Sequence, residues 1–244
     1  MKDIVVLVPV YKEDLDPLER FSLDYSLAAL AGRDVRFIAP QRLDRSYYAE
    51  HYAGIPFQLF DSPYLESIPE YNRLLLSKEF YQRFSDHEFM LILQTDAIVL
   101  RDELDFWCGQ PFDYVGASWP DGYELFVHVG LFEGDYGKRV KVGVGNGGLS
   151  LRRVRQCIAL LEEFEVAVNV FDRSGSSEDL FFSVMGSLSG NFVVPNEITA
   201  SRFSLELTPS YYFHVNGGCP PMGGHAWWKY EPTFWQAQFR GAKT

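Results

Sequence analysis

Two apolar runs constrain this chain more than any other feature. Ile4-Val5-Val6-Leu7-Val8-Pro9-Val10 and Phe89-Met90-Leu91-Ile92-Leu93 carry no polar side chain at any position. A strand with one wet face alternates apolar and polar residues, whereas a strand that is apolar throughout is buried on both faces. In short segments this is the signature of a parallel sheet covered by helices. Each run also passes directly into polar residues, Tyr11-Lys12-Glu13 after the first and Gln94-Thr95-Asp96 after the second. Open α/β sheets bind their ligands at such carboxyl ends.

The segments between the runs agree with that class. Asp16, Pro17 and Glu19 supply an N-cap, a first-turn proline and a capping-box partner, and Leu18, Phe21 and Tyr25 recur at helical spacing. Val35 to Ala39 and Phe57 to Phe60 predict two more strands, and Tyr71 to Phe84 predicts one helix with Leu76, Phe80 and Phe84 on its buried face. Tyr114 to Ser118 predicts a further strand, followed through Lys141 by a glycine- and aromatic-rich stretch without periodicity, expected to be irregular. Gly145-Asn146-Gly147-Gly148 then leads into a strand, Val154, Ile158 and Leu161 mark a helix, and the Ser174–Ser177 loop ends at Glu178-Asp179, which open another. Strands alternating with helices predict a wound α/β sheet, mostly parallel and flanked by helices. No repeat or linker divides the 244 residues, so one domain is expected over 1–244.

Composition narrows the function. A formal net charge of -11 argues against nucleic-acid binding, which needs clustered Lys and Arg. The three cysteines, Cys108, Cys157 and Cys219, are far apart and form no CxxC pair, so neither a zinc site nor a disulfide framework is indicated and a cytoplasmic setting is expected. The N-terminal apolar run is too short to span a bilayer, which leaves peripheral membrane contact open. Aromatic residues at 16% exceed the needs of a core, and surplus rings serve as stacking surfaces.

Four landmarks in order carry a resemblance: Val8-Pro9-Val10-Tyr11, Gln94-Thr95-Asp96, Gly145 to Leu151, and Glu178-Asp179. The chain resembles a glycosyltransferase of the GT-A architecture, a Rossmann-like single domain, and more closely the uncharacterised glycosyltransferase-like DUF5672 family. The resemblance implies a nucleotide-binding half over 1–100 and an acceptor-binding half over 101–244. It places Pro9, Val10 and Tyr11 at the nucleotide end of the first strand, Thr95 and Asp96 at the Asp-x-Asp position, and Asn146, Gly147 and Gly148 in an acceptor loop. It also implies that Asp179, the second of the acidic pair, is the base of an inverting transfer, with Glu178 as the alternative. His225 stands where such enzymes place a C-terminal metal-ligating histidine.

The chemistry of sugar transfer makes matching demands. A nucleoside diphosphate leaving group gains negative charge, which a divalent cation, Mn²⁺ or Mg²⁺, held by a carboxylate can neutralise. Asp96 is the first candidate ligand and His225 the second, with His214 as its competitor. Gln94 occupies the place of the first acid, which predicts either a weaker metal site completed by water and diphosphate or transfer without metal. Arg73, Lys78 and Lys229 are candidate diphosphate contacts, and Trp119, Tyr123, Trp227 and Trp228 are candidate stacking platforms. The expected activity is transfer of a sugar from a UDP- or GDP-linked donor to a glycan or lipid-linked acceptor, in a setting such as surface-polysaccharide synthesis. The alternatives are a nucleotidyltransferase making nucleotide-sugars and a non-catalytic carbohydrate-binding protein.

Overall fold

The computed structural model describes residues 3–61, 63–128 and 137–241. In chain order its first half comprises β1 (Ile4–Pro9), α1 (Pro17–Ala29), β2 (Asp34–Pro40), α2 (Ser46–His51), β3 (Phe57–Phe60), α3 (Ile68–Leu75), α4 (Lys78–Gln82), β4 (Phe89–Leu93) and β5 (Ala97–Val99). There follow α5 (Leu104–Cys108), β6 (Tyr114–Val115), β7 (Ala117–His128), β8 (Gly137–Gly145), β9 (Leu149–Arg153), α6 (Val154–Glu163), α7 (Glu165–Ser174) and α8 (Glu178–Leu188). The chain closes with α9 (Glu197–Ala200), β10 (Ser204–Leu205), α10 (Pro209–Val215), β11 (Gly223–His225) and α11 (Pro232–Gly241).

The architecture is mixed α/β around a six-stranded sheet of order β3-β2-β1-β4-β9-β6. β1 and β4 are buried at every position, as their uninterrupted apolar sequences require. β3, β2, β1 and β4 run parallel, while β9 is antiparallel to both β4 and β6. The sheet is therefore mostly parallel but mixed. β9 follows the β7–β8 ribbon after only the tight turn at 146–148. Successive strands step outward from β1 to β2 to β3, and β4 then lies on the other side of β1. This reversal opens a crevice between the carboxyl ends of β1 and β4.

Three elements differ from the sequence expectation. Tyr71 to Phe84 is two helices, because Ser77 caps α4 by accepting from the Phe80 amide and so breaks the run at Leu76. The stretch expected to be irregular contains the β7–β8 ribbon, whose residues 129–136 lie outside the described residues. The register slips between Ser118 and Tyr123, where Asp121 adopts a φ of 64°, and short-range periodicity does not survive such a bulge. In α1 the capping box forms as predicted, but the buried face is Glu19, Ser22, Leu23 and Ser26, with Leu18 and Phe21 partly exposed. The small polar face is needed because α1 lies on β5, and Ser26 Oγ accepts from the Val99 amide at 2.9 Å.

A second sheet of order β10-β11-β5 ties the C-terminal segment to the centre of the molecule. β11 pairs antiparallel with β5, setting Gly223 against Val99, Gly224 against Ile98 and His225 against Ala97. Gly223 permits this approach: a Cβ there would fall 2.3 Å from the Ile98 carbonyl oxygen on β5. Among the described residues, no helix is long and apolar enough to cross a membrane.

The capping box gives a direct test of local folding. Asp16→Ala is expected to lower the unfolding free energy by about 1 kcal/mol in urea denaturation, since the Leu18 and Glu19 amides lose their acceptor.

Candidate functional site

The crevice between β1 and β4 holds a cavity of about 430 Å³. Pro9 and Tyr11 from the end of β1, Gln94, Thr95 and Asp96 from the end of β4, and His225 and Lys229 from the C-terminal segment all line it. Six of the residues singled out in the sequence (Pro9, Tyr11, Thr95, Asp96, His225 and Lys229) thus converge, and they come from both halves of the chain. The boundary at residue 100 does not separate the site.

Asp96 and His225 form its charged centre. Asp96 Oδ1 lies 3.0 Å from His225 Nε2, and Glu206 Oε2 lies 2.9 Å from Nδ1 on the other side of the ring. Burial alone would lower the His225 pKa, but hydrogen bonds to the two carboxylates override it and push the value up to about 10. Burial likewise opposes ionisation of Asp96, yet His225 and then Lys229, whose Nζ is 3.6 Å from Oδ2, hold its carboxyl below the ordinary range. The Ala226 amide donates to the Asp96 carbonyl, locking the two segments together.

Asp96 is the residue here that could hold a divalent cation; His225, charged and bonded to a carboxylate at each ring nitrogen, would have to give up its Nε2 proton to ligate one. Glu206 orients the imidazole from behind through Nδ1 while Nε2 is turned to Asp96. A lone carboxylate suits Mg²⁺, which keeps waters and takes further ligands from phosphates. Among the described residues no group of three or more His, Cys, Asp or Glu side chains converges into an all-protein cage.

Glu19 is a site residue that the sequence marked only as a capping partner. It lines the cavity, accepts from Lys12 Nζ at 2.8 Å and Thr95 Oγ1 at 3.0 Å, and bonds the Asp16 amide. It thereby ties the loops after β1 and β4 to the start of α1. Tyr71, also on the cavity wall, was read only as a helix residue. Glu206 carried no sequence signal, because its approach to His225 depends on the pairing of β10 with β11.

The glycine strip runs beside this centre. A Cβ on Gly148 would fall 2.3 Å from the His225 ring, and one on Gly147 would meet Glu178 Oε1 at 2.7 Å. Only glycine lets the chain pass between β11 and α8. Asp179 accepts from the Gly147 amide at 3.1 Å and from the Leu180 amide at 2.7 Å, so the second acid stands directly against the strip. Glu178 has a different environment. It is buried and paired with Arg152, whose NH2 lies 2.9 Å from Oε1 and whose guanidinium also meets Tyr81 Oη and Ser150 Oγ. Burial pushes the Glu178 carboxyl upward against the pull of Arg152.

Several other candidates are committed elsewhere. Val10 is buried, with its amide donating to Ile38. Arg73 pairs with Glu70 and Asp172, and Lys78 with Glu162, away from the cavity lining. His214 is exposed near the end of α10. Trp227 is buried among Phe21, Phe239 and Trp228 and donates to Ser22 Oγ, which makes it core and not a platform. Asn146, at a φ of 44°, receives the Trp119 indole N–H at 2.7 Å, so its carboxamide oxygen is already in use. Trp119 covers Gly145 and neighbours Tyr123.

Residues 54–225 match the family described as Protein of unknown function (DUF5672). The chain belongs to the DUF5672 family. The match ends at His225 and includes Asp96, the glycine strip and the Glu178-Asp179 pair, but begins after β1, so Pro9 and Tyr11 are supplied from outside it. No curated protein matches the chain.

Arg152 and Glu178 are expected to behave as an obligate pair. Arg152→Met leaves a buried carboxylate unpaired and is expected to cost about 3–5 kcal/mol, whereas the double variant Arg152→Met/Glu178→Gln costs less than the single one. Urea denaturation of the three proteins measures both quantities.

Proposed function

We propose that this DUF5672 protein is a glycosyltransferase that moves a sugar from a nucleoside-diphosphate sugar to an acceptor hydroxyl. The observation that carries the reading is the crevice at the strand-order reversal, where an ionised Asp96 faces a charged His225 and the exposed Lys229. A site that takes up a dianionic diphosphate needs this combination: a carboxylate for a cation and direct positive charge for the phosphate oxygens.

A divalent ion held by the Asp96 carboxylate would supply charge neutralisation for the departing diphosphate, beside the positive charge of His225. The protein's own residues do the remaining work. Lys229, solvent-exposed at the rim, presents its ammonium to phosphate oxygens. Glu19 holds Thr95 and Lys12 in place around the ligand. Asp179, positioned by the Gly147 and Leu180 amides, keeps lone pairs on each oxygen for the proton of the attacking hydroxyl, which supports an inverting reaction. Neither rival reading draws comparable support. The segment after β1 opens with Tyr11-Lys12-Glu13-Asp14, without the glycine- and Arg/Lys-rich phosphate loop of a nucleotidyltransferase. The buried Trp227 weakens the case for a lectin-like platform.

Three measurements test the proposal. UDP or GDP is expected to raise the melting temperature only when Mn²⁺ or Mg²⁺ is present, since ligands of the folded state stabilise it with occupancy. Asp96→Ala is expected to abolish that shift, and His225→Ala to reduce it far more than His214→Ala. A well-folded Asp96→Ala protein with unchanged metal-dependent binding would refute the assignment. Asp179→Asn is expected to lower turnover by about 10²-fold or more at near-normal nucleotide affinity. An active but less stable Asp179→Asn protein would identify Asp179 as a helix-capping residue instead.

A further inference from the structure

The wall of the cavity carries one buried polar group without a partner. Tyr71, on α3, lines the cavity, yet its hydroxyl is shielded from water and completes no hydrogen bond. The Gln94 carboxamide lies beside it at the cavity surface. Glu178 is close enough to act electrostatically on the Tyr71 phenol. Its Oε1 is taken by Arg152, but its Oε2 is buried and has no partner. One buried donor and one buried acceptor are therefore left unsatisfied, a costly arrangement for an interior.

We propose that Tyr71 and Gln94, backed by the buried Glu178 carboxylate, form a hydroxyl-reading subsite for the sugar ring of a nucleoside-diphosphate sugar. The inference rests on the glycosyltransferase reading of the cavity and adds which residues recognise the sugar. The chemistry selects this ligand over others. Burial raises the Tyr71 phenol, so it remains a neutral donor, and the carboxamide both donates and accepts. Adjacent ring hydroxyls need that mixture. A phosphate would meet the Glu178 charge, and a cation would find no second carboxylate at Gln94. The two ends of the cavity thus differ in kind, with Lys229 and His225 facing charge and Tyr71 and Gln94 facing hydroxyls. Gln94 acquires a positive role: an acid there would compete for the cation, while a carboxamide turns aside to admit a sugar hydroxyl to Tyr71.

Titration calorimetry of the wild type and of Tyr71→Phe tests this, with UDP, GDP, UDP-glucose, UDP-galactose, UDP-N-acetylglucosamine and GDP-mannose as probes. For the sugar nucleotide that binds, Tyr71→Phe is expected to weaken affinity about tenfold more than it weakens affinity for the matching nucleoside diphosphate, the effect of one lost buried hydrogen bond. Gln94→Ala is expected to shift the same ratio in the same direction, and it replaces Tyr71→Phe if that protein lacks a cooperative melting transition. Equal losses on both ligands, or none, overturn the subsite while leaving the transferase reading intact. A wild-type protein that binds no nucleotide at all overturns both.

Discussion

The antiparallel pairing of β11 with β5 is the contact on which the site depends. It joins a segment near residue 224 to one near residue 98, and its last rung sets His225 against Ala97, the neighbour of Asp96. From that rung follow the 3.0 Å contact between Asp96 and His225, the bond from the Ala226 amide to the Asp96 carbonyl, and the presence of Lys229 at the rim. Burying two carboxylates around one imidazole is tolerable only because the ring carries a compensating charge and each carboxylate reaches a ring nitrogen. The aromatic cluster of Trp227, Phe21 and Phe239 holds the segment down on α1, which explains much of the aromatic surplus as packing.

A second constraint lies on the other side of His225. Gly147 and Gly148 form a strip with no room for a Cβ, squeezed between the imidazole and the first turn of α8. Beneath it Arg152, fully buried on β9, gathers Ser150, Tyr81 and Glu178. Glu178 is held by this arginine, and the next residue, Asp179, is consequently turned toward the strip, where the Gly147 amide receives it. Two adjacent acids of the same helix turn thus have opposite fates, one buried as a counter-ion and one held half-exposed against the glycine strip. Membership of DUF5672 covers both the strip and the acids.

Much of the fold was legible in the sequence. Uninterrupted apolar runs identified β1 and β4, and the Asp16-Pro17-Glu19 spacing identified the start of α1, because burial on two faces and local capping are short-range requirements. Pro9, Tyr11, Thr95 and Asp96 were legible as strand-end residues for the same reason, and they do line one cavity. The break at Ser77, the bulge between Ser118 and Tyr123 and the exposed side of Leu18 and Phe21 were not, since a single competing cap, a register slip or a neighbouring strand decides each of them.

Sequence by itself determined the strand-helix alternation, the carboxyl-end polar turns and the glycines that allow close passage. Tertiary structure alone decided which charges meet. Glu206 reaches His225 through strand pairing, Glu19 becomes a cavity residue because α1 starts beside Thr95, and Trp227 becomes core because α11 closes over α1. Local pattern encodes what each segment buries, whereas the identity of its partner is a property of long-range contacts whose sequence separations, 129 residues for Asp96 and His225, leave no periodic trace.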